Sequence, residues 1–217
     1  MNRVINILVA SVGGQGGLTL SRVIAAAAVM AGYSVRTGET LGMAQRFGSV
    51  KSYIRIGVDT PVYSPIFEPG EADILVGMEV TEAYRNHHYL RPMGLAVLST
   101  EEKPPISVSL GKAEPVTMEK LIEALESHGA EIIIIDAPRL AREAGNPRAA
   151  NMVLLGAMNT AKKILPDNAV EEAIKAILGG KRAETSIKAY YLGKEYTEKH
   201  KPSKEHKEDK THASEQT

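Results

Sequence analysis

A glycine-rich turn between two apolar runs is the feature that most constrains how this chain can fold. The first run, residues 4–12, is rich in β-branched side chains and predicts a buried strand. Gly13-Gly14-Gln15-Gly16-Gly17 follows it, and residues 18–31 are small and apolar, which predicts a helix lying close to a sheet. This order places backbone N–H groups and the positive end of a helix dipole at the carboxyl edge of a sheet, where anionic ligands bind.

Strand and helix patterns alternate along the rest of the chain. Further strands are predicted at 34–37, 74–77, 94–99 and 132–135, with a candidate hairpin return at 62–64. The alternating pattern over 50–58 predicts a half-exposed strand. Helical patterns occur at 80–90, 118–127, 138 onward, 149–165, 169–178 and 185–196. The alternation predicts an α/β fold with three layers: a mostly parallel Rossmann-like sheet, helices on both faces and a helical C-terminal part.

Three segments depart from this alternation. Residues 38–49 hold three glycines and predict a long functional loop on the carboxyl edge of the sheet. Residues 101–117 predict an irregular excursion with short strands. From Thr197 onward polar residues dominate, which predicts one domain over 1–196 and a disordered polar tail over 197–217. The tail histidines suit a solvated segment better than a metal site.

Composition excludes several classes of function. The 217 residues include no cysteine, and 26 basic residues balance 26 acidic ones. This chain therefore carries no cysteine-ligated iron–sulfur cluster and no thiol nucleophile. Balanced charge and few, scattered aromatic residues argue against nucleic-acid binding. No apolar stretch approaches the roughly 20 residues of a membrane span, and the sequence shows no signal-peptide pattern, so we expect a soluble cytoplasmic protein.

The glycine turn matches the dinucleotide-binding fingerprint only in part. The pattern Gly-x-Gly-x-x-Gly requires glycine where Ser11 stands, and an acidic residue after the second strand, for which Glu39 is the nearest candidate. Such a turn can also serve helix–strand packing alone. We expect helix–strand packing alone not to require Gly14 and Gly17, and these extra glycines favour an anionic or nucleotide-like ligand. The absence of a following Lys-Ser/Thr excludes a Walker loop.

The loop over 38–49 supplies further candidate ligand contacts. Arg46 suits a bidentate contact with phosphate or carboxylate, and Gln45 and Ser49 lie beside it in sequence. An exposed loop arginine or an interface salt bridge is the alternative. The predicted cofactor-binding residues are therefore Gly13, Gly14, Gln15, Gly16, Gly17, Gln45, Arg46 and Ser49.

No residue set predicts catalysis or metal binding by this chain. Asp136 ends a strand at the ligand edge, where capping of the next helix is its favoured role. His87 and His88 are adjacent on a predicted helix and point to different faces, which disfavours a shared metal. No serine, histidine and aspartate set has a recognisable context, so we assign no catalytic residue.

Four motifs in order resemble the gamma-type domain of the 2-oxoacid:ferredoxin oxidoreductases. They are Gly13-Gly14-Gln15-Gly16, the run from Glu39 to Val50, Val62-Tyr63-Ser64-Pro65 and Gly70-Glu71-Ala72-Asp73. The run from Met43 to Val50 is most similar to the small subunit of the indolepyruvate enzymes, and residues 151–157 are similar to a late helix of the family. The resemblance covers about residues 4–195. The family usually has glycine where Ser11 stands, and often where Phe47 stands.

The resemblance implies a division of labour between subunits. In that family a large partner holds thiamine diphosphate, magnesium and iron–sulfur clusters. The thiamine ylid adds to the 2-oxoacid, carbon dioxide leaves, electrons pass through the clusters to ferredoxin, and coenzyme A takes the acyl group. By this resemblance the chain is the non-catalytic small subunit of an indolepyruvate (arylpyruvate) enzyme. It holds no cofactor alone, and its glycine turn and Arg46 are candidates for lining the coenzyme A site.

Three alternatives stay open at this point. The chain is also compatible with the gamma subunit of a pyruvate or 2-oxoglutarate enzyme. A free-standing Rossmann-like nucleotide-binding protein is a second alternative, and saturable NAD binding would favour it. A third is an interaction module in which the glycine turn is only structural. In that case Gly14→Ala changes stability or assembly but no ligand affinity.

Overall fold

The computed structural model describes residues 2–42 and 48–200, and its six strands form one mixed sheet. The strands are β1 Arg3–Val12, β2 Ser34–Leu41, β3 Ser49–Val58, β4 Ala72–Gly77, β5 Leu90–Ser99 and β6 Glu131–Ile135. Their order across the sheet is β2-β3-β1-β4-β5-β6. β3 is antiparallel to both β1 and β2, whereas β1, β4, β5 and β6 pair in parallel. The α/β prediction is confirmed, but "mostly parallel" is right only in part because β3 lies between β1 and β2.

Helices cover both faces of this sheet. They are α1 Gly17–Met30, α2 Val80–Asn86, α3 Ile106–Ser109, α4 Met118–Glu126, α5 Ala137–Glu143, α6 Ala150–Lys162, α7 Asp167–Leu178 and α8 Gly180–Lys199. α1, α5, α6, α7 and α8 pack on one face, and α2 and α4 pack on the other. Across the part of the chain that the structure describes, no helix is both long and apolar enough to cross a membrane.

Several predicted segments differ from the structure. β2 continues to Leu41 because it pairs with β3 along its whole length, so the predicted loop over 38–49 begins as a strand. β2 is an edge strand with mostly exposed side chains, and its polar sequence therefore looks like a loop. Residues 62–64 take no strand conformation. Residues 101–117 contain the short helix α3 instead of strands.

Helix α6 is buried from Asn151 to Thr160 because α8 of the same chain covers its outer side. The cover on both sides of α6 therefore comes from elements of this chain. The two helix backbones touch. A Cβ atom on Gly156 would lie 2.0 Å from the carbonyl oxygen of Tyr190, and one on Gly193 would lie 2.0 Å from that of Val153. Glycine at both positions therefore sets the distance between α6 and α8.

A buried polar network joins the far end of α6 to α7 and α8. The Tyr190 hydroxyl donates to Asp167 at 2.6 Å and accepts from the amide of Asn159 at 2.8 Å. Lys194 forms an ion pair with Asp167. Burial, together with the hydrogen bond to Asp167, raises the pKa of Tyr190 above its ordinary value. The phenol therefore stays protonated and keeps its donor role.

Helix α8 continues to Lys199, past residue 196, where the predicted tail begins. Thr197 is buried, and its hydroxyl donates to the carbonyl oxygen of Gly193 at 3.0 Å. This contact ties the last turn of the helix to the turn before it. The remainder of the predicted tail, residues 201–217, lies outside the described residues.

Replacing Gly156 by alanine tests the contact between α6 and α8. The added methyl group would overlap the backbone at Tyr190, which cannot rotate away, so the helices must separate. We expect the free energy of unfolding to fall by about 2 kcal/mol, as in overpacked cores. Urea unfolding followed by circular dichroism measures this change.

The sign of the change in unfolding free energy distinguishes close packing from an exposed position, because replacing glycine by alanine in an exposed helix stabilises the fold by about 1 kcal/mol. Glu184→Ala on the exposed side of α8 is the control, and we expect it to stay within about 0.5 kcal/mol of the parent. A Gly156→Ala protein that is as stable as the parent or more stable contradicts the close packing.

Candidate functional site

A cleft of about 310 Å³ opens at the carboxyl end of β1. The glycine turn forms its floor. One wall comes from the segment after β5 and the other from the starts of α6 and α8, with Lys103, Arg148, Asn151 and Arg182 among the lining residues. The volume lies at the lower end of the range for small-molecule sites. The cleft therefore joins the N-terminal motif to residues that are distant in sequence.

Gly14 and Gly16 both need glycine, for different reasons. Their φ angles are 98° and 90°, in the left-handed region that side chains rarely adopt. A Cβ on Gly14 would meet nothing within 4 Å, whereas one on Gly16 would lie 2.8 Å from the amide nitrogen of Asn151. That amide donates to the Gly16 carbonyl at 3.1 Å. Gly16 is thus fixed by packing, while the backbone at Gly14 is open to a ligand.

Gly13 and Gly17 serve the fold rather than the cleft. The Gly13 N–H donates to the carbonyl of Gly48 at 2.8 Å. A Cβ on Gly17 would lie 2.3 Å from the hydroxyl oxygen of Ser11. Ser11, which stands where the fingerprint has its first glycine, therefore occupies the space that Gly17 leaves. The expectation that Gly17 exceeds the needs of packing is wrong.

Gln15 lines the cleft, but its side chain is occupied within the protein. Its carbonyl oxygen accepts from the N–H of Val12 at 2.7 Å. Its amide nitrogen donates to the carbonyl of Met78 at 3.2 Å and to the carboxylate of Glu101 at 3.0 Å. Both amide hydrogens are used, so Gln15 holds the turn and has no donor left for a ligand.

Of the three predicted ligand contacts from the loop, the structure describes only Ser49. Ser49 is the first residue of β3, and its hydroxyl donates to the buried carboxylate of Glu82 at 2.5 Å. Ser49 is not among the residues that line the cleft. Gln45 and Arg46, also predicted as ligand contacts, lie outside the described residues.

The basic groups of the cleft come from residues that the sequence motifs do not indicate. Arg148 and Arg182 are exposed, and neither forms an ion pair with any described residue. Lys103 is instead paired with Glu101 at 2.8 Å. Two guanidinium groups that have no ion pair among the described residues, near an open glycine backbone, suit a phosphate or carboxylate ligand. The sequence held one indication that Arg182 serves a site rather than its helix. Arg182 lies in the first turn of α8, where a positive charge interacts unfavourably with the helix dipole.

The strand order argues against a dinucleotide site of the Rossmann type. In that fold the acidic residue that binds the ribose lies on the strand next to β1. Here β3 separates β2 from β1, and Glu39 pairs with Ser52, which in turn pairs with Val9. Two strand spacings place Glu39 about 10 Å from β1 across the sheet. Glu39 therefore cannot take the ribose-binding role.

The structure also describes Asp136, predicted as a helix cap, and His87 and His88, for which a shared metal was disfavoured. The Asp136 side chain accepts from the N–H of Arg139 at 2.9 Å, so it caps α5 as expected. His88 is exposed in the middle of the short turn His87–Tyr89 after α2, and Nδ1 of His87 lies 2.5 Å from the carbonyl of Tyr84. Among the described residues, no group of three histidine or acidic side chains is arranged to hold a metal ion.

Comparison with known proteins identifies the family. The sequence profile for "Pyruvate ferredoxin/flavodoxin oxidoreductase" matches residues 6–196, and the chain belongs to this family. It is 39% identical over 192 residues to the indolepyruvate oxidoreductase subunit IorB of Thermococcus kodakarensis, covering 87% of this chain and 93% of the relative. IorB of Archaeoglobus fulgidus is 38% identical over 191 residues, with the same coverage of 87% and 93%. The resemblance predicted from the motifs is confirmed.

Solved structures share the fold. The pyruvate oxidoreductase subunit PORC of Thermotoga maritima has a TM-score of 0.69 and 20% identity, over 89% of this chain and 96% of that chain. The 2-oxoglutarate:ferredoxin oxidoreductase of Magnetococcus marinus, solved with 2-oxoglutarate, coenzyme A and succinyl-CoA bound, also has a TM-score of 0.69 and 20% identity. It matches 91% of this chain and 31% of its own. These likenesses confirm the α/β architecture.

The pairing of Ser11 with Gly17 can be tested by a double-mutant cycle. Gly17→Ala places a methyl group against the Ser11 hydroxyl, and we expect it to destabilise the fold by about 1–3 kcal/mol. Ser11→Gly removes the obstacle, so Gly17→Ala should cost at least about 1 kcal/mol less in that background. Urea unfolding of the parent, both single variants and the double variant gives the coupling. Additive effects would show that the two residues do not exclude each other.

Proposed function

We propose that this chain is the small, non-catalytic subunit of an indolepyruvate (arylpyruvate):ferredoxin oxidoreductase. The observation that carries the proposal is its 38–39% identity to three IorB subunits over 87% of the chain. Identity to the common gamma subunit of the pyruvate/ketoisovalerate oxidoreductases of Thermococcus litoralis is lower, at 28% over 184 residues. This difference favours an arylpyruvate over pyruvate as the substrate of the complex.

The residues of this chain do not fit a redox centre. It has no cysteine, and its described residues include no group suited to a metal ion. In the proposed cytoplasmic complex a larger partner subunit therefore holds thiamine diphosphate, magnesium and the iron–sulfur clusters. Ferredoxin receives the electrons from that partner. The part of this chain is to complete the complex and to bind a ligand at its cleft.

The cleft fits the phosphate groups of coenzyme A. The open backbone at Gly14 and the exposed guanidinium groups of Arg148 and Arg182, which form no ion pair within the described part of the chain, supply donors and positive charge to the same space. A volume of about 310 Å³ suits the nucleotide end of the molecule rather than the whole of it. When bound, coenzyme A supplies the thiol that accepts the acyl group. This chain would hold the phosphates and orient the rest toward the partner.

Isolation of the protein from its native extract tests the subunit assignment. We expect the tagged chain to bring a larger, cysteine-rich subunit with the visible absorbance of iron–sulfur clusters. The complex should reduce a viologen dye when indolepyruvate and coenzyme A are added. Its kcat/KM for pyruvate and 2-oxoglutarate should be at least about tenfold lower. A colourless chain that is recovered alone, even after mild cross-linking, argues against the assignment.

Removing the unpaired arginines tests the coenzyme A site. In the complex, we expect Arg148→Ala and Arg182→Ala each to raise the KM for coenzyme A about tenfold, because each removes a charge-assisted hydrogen bond. The kcat should stay within about twofold, since neither residue takes part in chemistry. Steady-state kinetics at several coenzyme A concentrations measure both constants.

Arg142→Ala is the matched control, because Arg142 is an exposed arginine of α5 that does not line the cleft. Gly14→Ala separates the proposal from a purely structural glycine turn, since only a ligand site predicts a change in the KM for coenzyme A. An unchanged KM in all the cleft variants would contradict the coenzyme A site and leave the subunit assignment intact.

A further inference from the structure

Two glutamates at the start of α2 are buried, although interior carboxylates are rare without partners. Glu79 is 1% exposed and Glu82 is 3% exposed. All four carboxylate oxygens have donors. Glu79 accepts from the N–H groups of Glu82 at 2.8 Å and Lys103 at 3.0 Å. Glu82 accepts from the Ser49 hydroxyl at 2.5 Å and from the guanidinium of Arg85 at 2.6 Å.

The two glutamates have separable tasks. Glu79 caps α2, because its carboxylate accepts the N–H of Glu82 in the first turn of the helix. The Glu82 carboxylate contributes nothing to that cap. Among the described residues its hydrogen-bond partners are Arg85, within α2, and Ser49, outside it. The contact with Ser49 is therefore the one that the needs of its own helix do not explain.

From Glu82 a line of contacts leads to the glycine turn through Ser49. The residue before Ser49 is Gly48, and its carbonyl accepts from the N–H of Gly13 at 2.8 Å. The carbonyl of Ser49 accepts from Gly42 at 2.9 Å. Glu82 therefore fixes the strand end to which the first residue of the glycine turn is bonded.

From Glu79 a second line reaches the same turn from the other side. The backbone of Lys103 is held by Glu79, and the ammonium group of Lys103 pairs with Glu101 at 2.8 Å. The second carboxylate oxygen of Glu101 accepts from the amide of Gln15 at 3.0 Å. The two lines close into one ring of contacts, the carboxylate ring, made of Gly13, Gln15, Gly48, Ser49, Glu79, Glu82, Glu101 and Lys103.

We infer that Glu82 is a positioning residue for the cleft. By holding Ser49 it keeps Gly13 in place, and so keeps the neighbouring Gly14 in the conformation that opens its backbone to a ligand. Glu82 does not itself line the cleft, so it acts through the carboxylate ring. A carboxylate is required because hydrogen bonds to an ionised acceptor are shorter and about twice as strong as neutral ones. The effect on ligand affinity rests on the proposed function, whereas the effect on the turn does not.

Hydrogen exchange measures the effect on the turn directly. The tagged protein is used as isolated, with any subunits that accompany it. We expect Ser49→Ala and Glu82→Gln each to speed amide exchange in peptides covering residues 12–17 by about tenfold. Ser49→Thr, which keeps a hydroxyl, should restore exchange to near the parent rate. Asp136→Asn is the matched control, because it removes a capping carboxylate at the same sheet edge but outside the ring.

Each result decides the inference. Unchanged exchange at the turn in Ser49→Ala and Glu82→Gln overturns it, and so does an acceleration spread over the whole chain.

Kinetics of the complex add a second readout: the KM for coenzyme A should rise about tenfold in Glu82→Gln with kcat within about twofold. If the arginine variants raise this KM and Glu82→Gln does not, positioning for the ligand is contradicted. If the arginine variants also leave it unchanged, the coenzyme A site fails and exchange alone decides the role of Glu82.

Discussion

The contact between the backbones of α6 and α8 is the constraint on which the cleft depends. Gly156 and Gly193 allow the backbones of the two helices to touch where they cross. The start of α6 brings Asn151 to the carbonyl of Gly16, and the start of α8 brings Arg182 to the same cleft. If a side chain separated the helices, the basic wall would move away from the glycine turn. A packing contact in the middle of two helices thus fixes distances at their ends.

The glycine turn shows how one motif can combine several physical requirements. Gly13 provides an N–H for a strand end, Gly17 makes room for Ser11, and Gly16 needs both a left-handed φ and space for Asn151. Within the turn, Gly14 is the glycine that combines a left-handed φ with open surroundings. A glycine-rich sequence therefore leads to the cleft while overstating how many of its residues are open to a ligand. The proposed binding rests on one exposed peptide and on charges supplied from elsewhere.

The sequence was sufficient for the parts of the fold that have local signals. β1, β4 and β6 are apolar runs because both faces of the sheet are covered, and such runs can be recognised without partners. The direction of β3 was not predictable, since its alternating pattern suits either orientation and its partners are distant. The second half of β2 was predicted as a loop because its sequence is polar. A polar sequence is also what suits a strand at the edge of a sheet, where the side chains are mostly exposed.

The candidate site was likewise predictable only where a local motif marks it. The glycine turn carries a local motif, but Arg148 and Arg182 lie far along the chain, and no local pattern tells which helix end will reach the turn. The carboxylate of Glu82 was also missed, because a glutamate in the first turn of a helix is ordinary in sequence. Only the fold shows that it is buried against Ser49.

The distance in sequence between the glycine turn and the wall formed by α6 and α8 has a consequence for synthesis on the ribosome. Residues 13–17 emerge well over 100 residues before Asn151, Arg182 and the helix α7 that covers α1. During that interval the apolar side of α1 has no cover from α7, and the turn lacks its contact with Asn151. A nascent chain must therefore carry an exposed apolar surface until its late helices dock. Ligand capture by this cleft would accordingly report the docking of the C-terminal helices rather than the folding of the sheet.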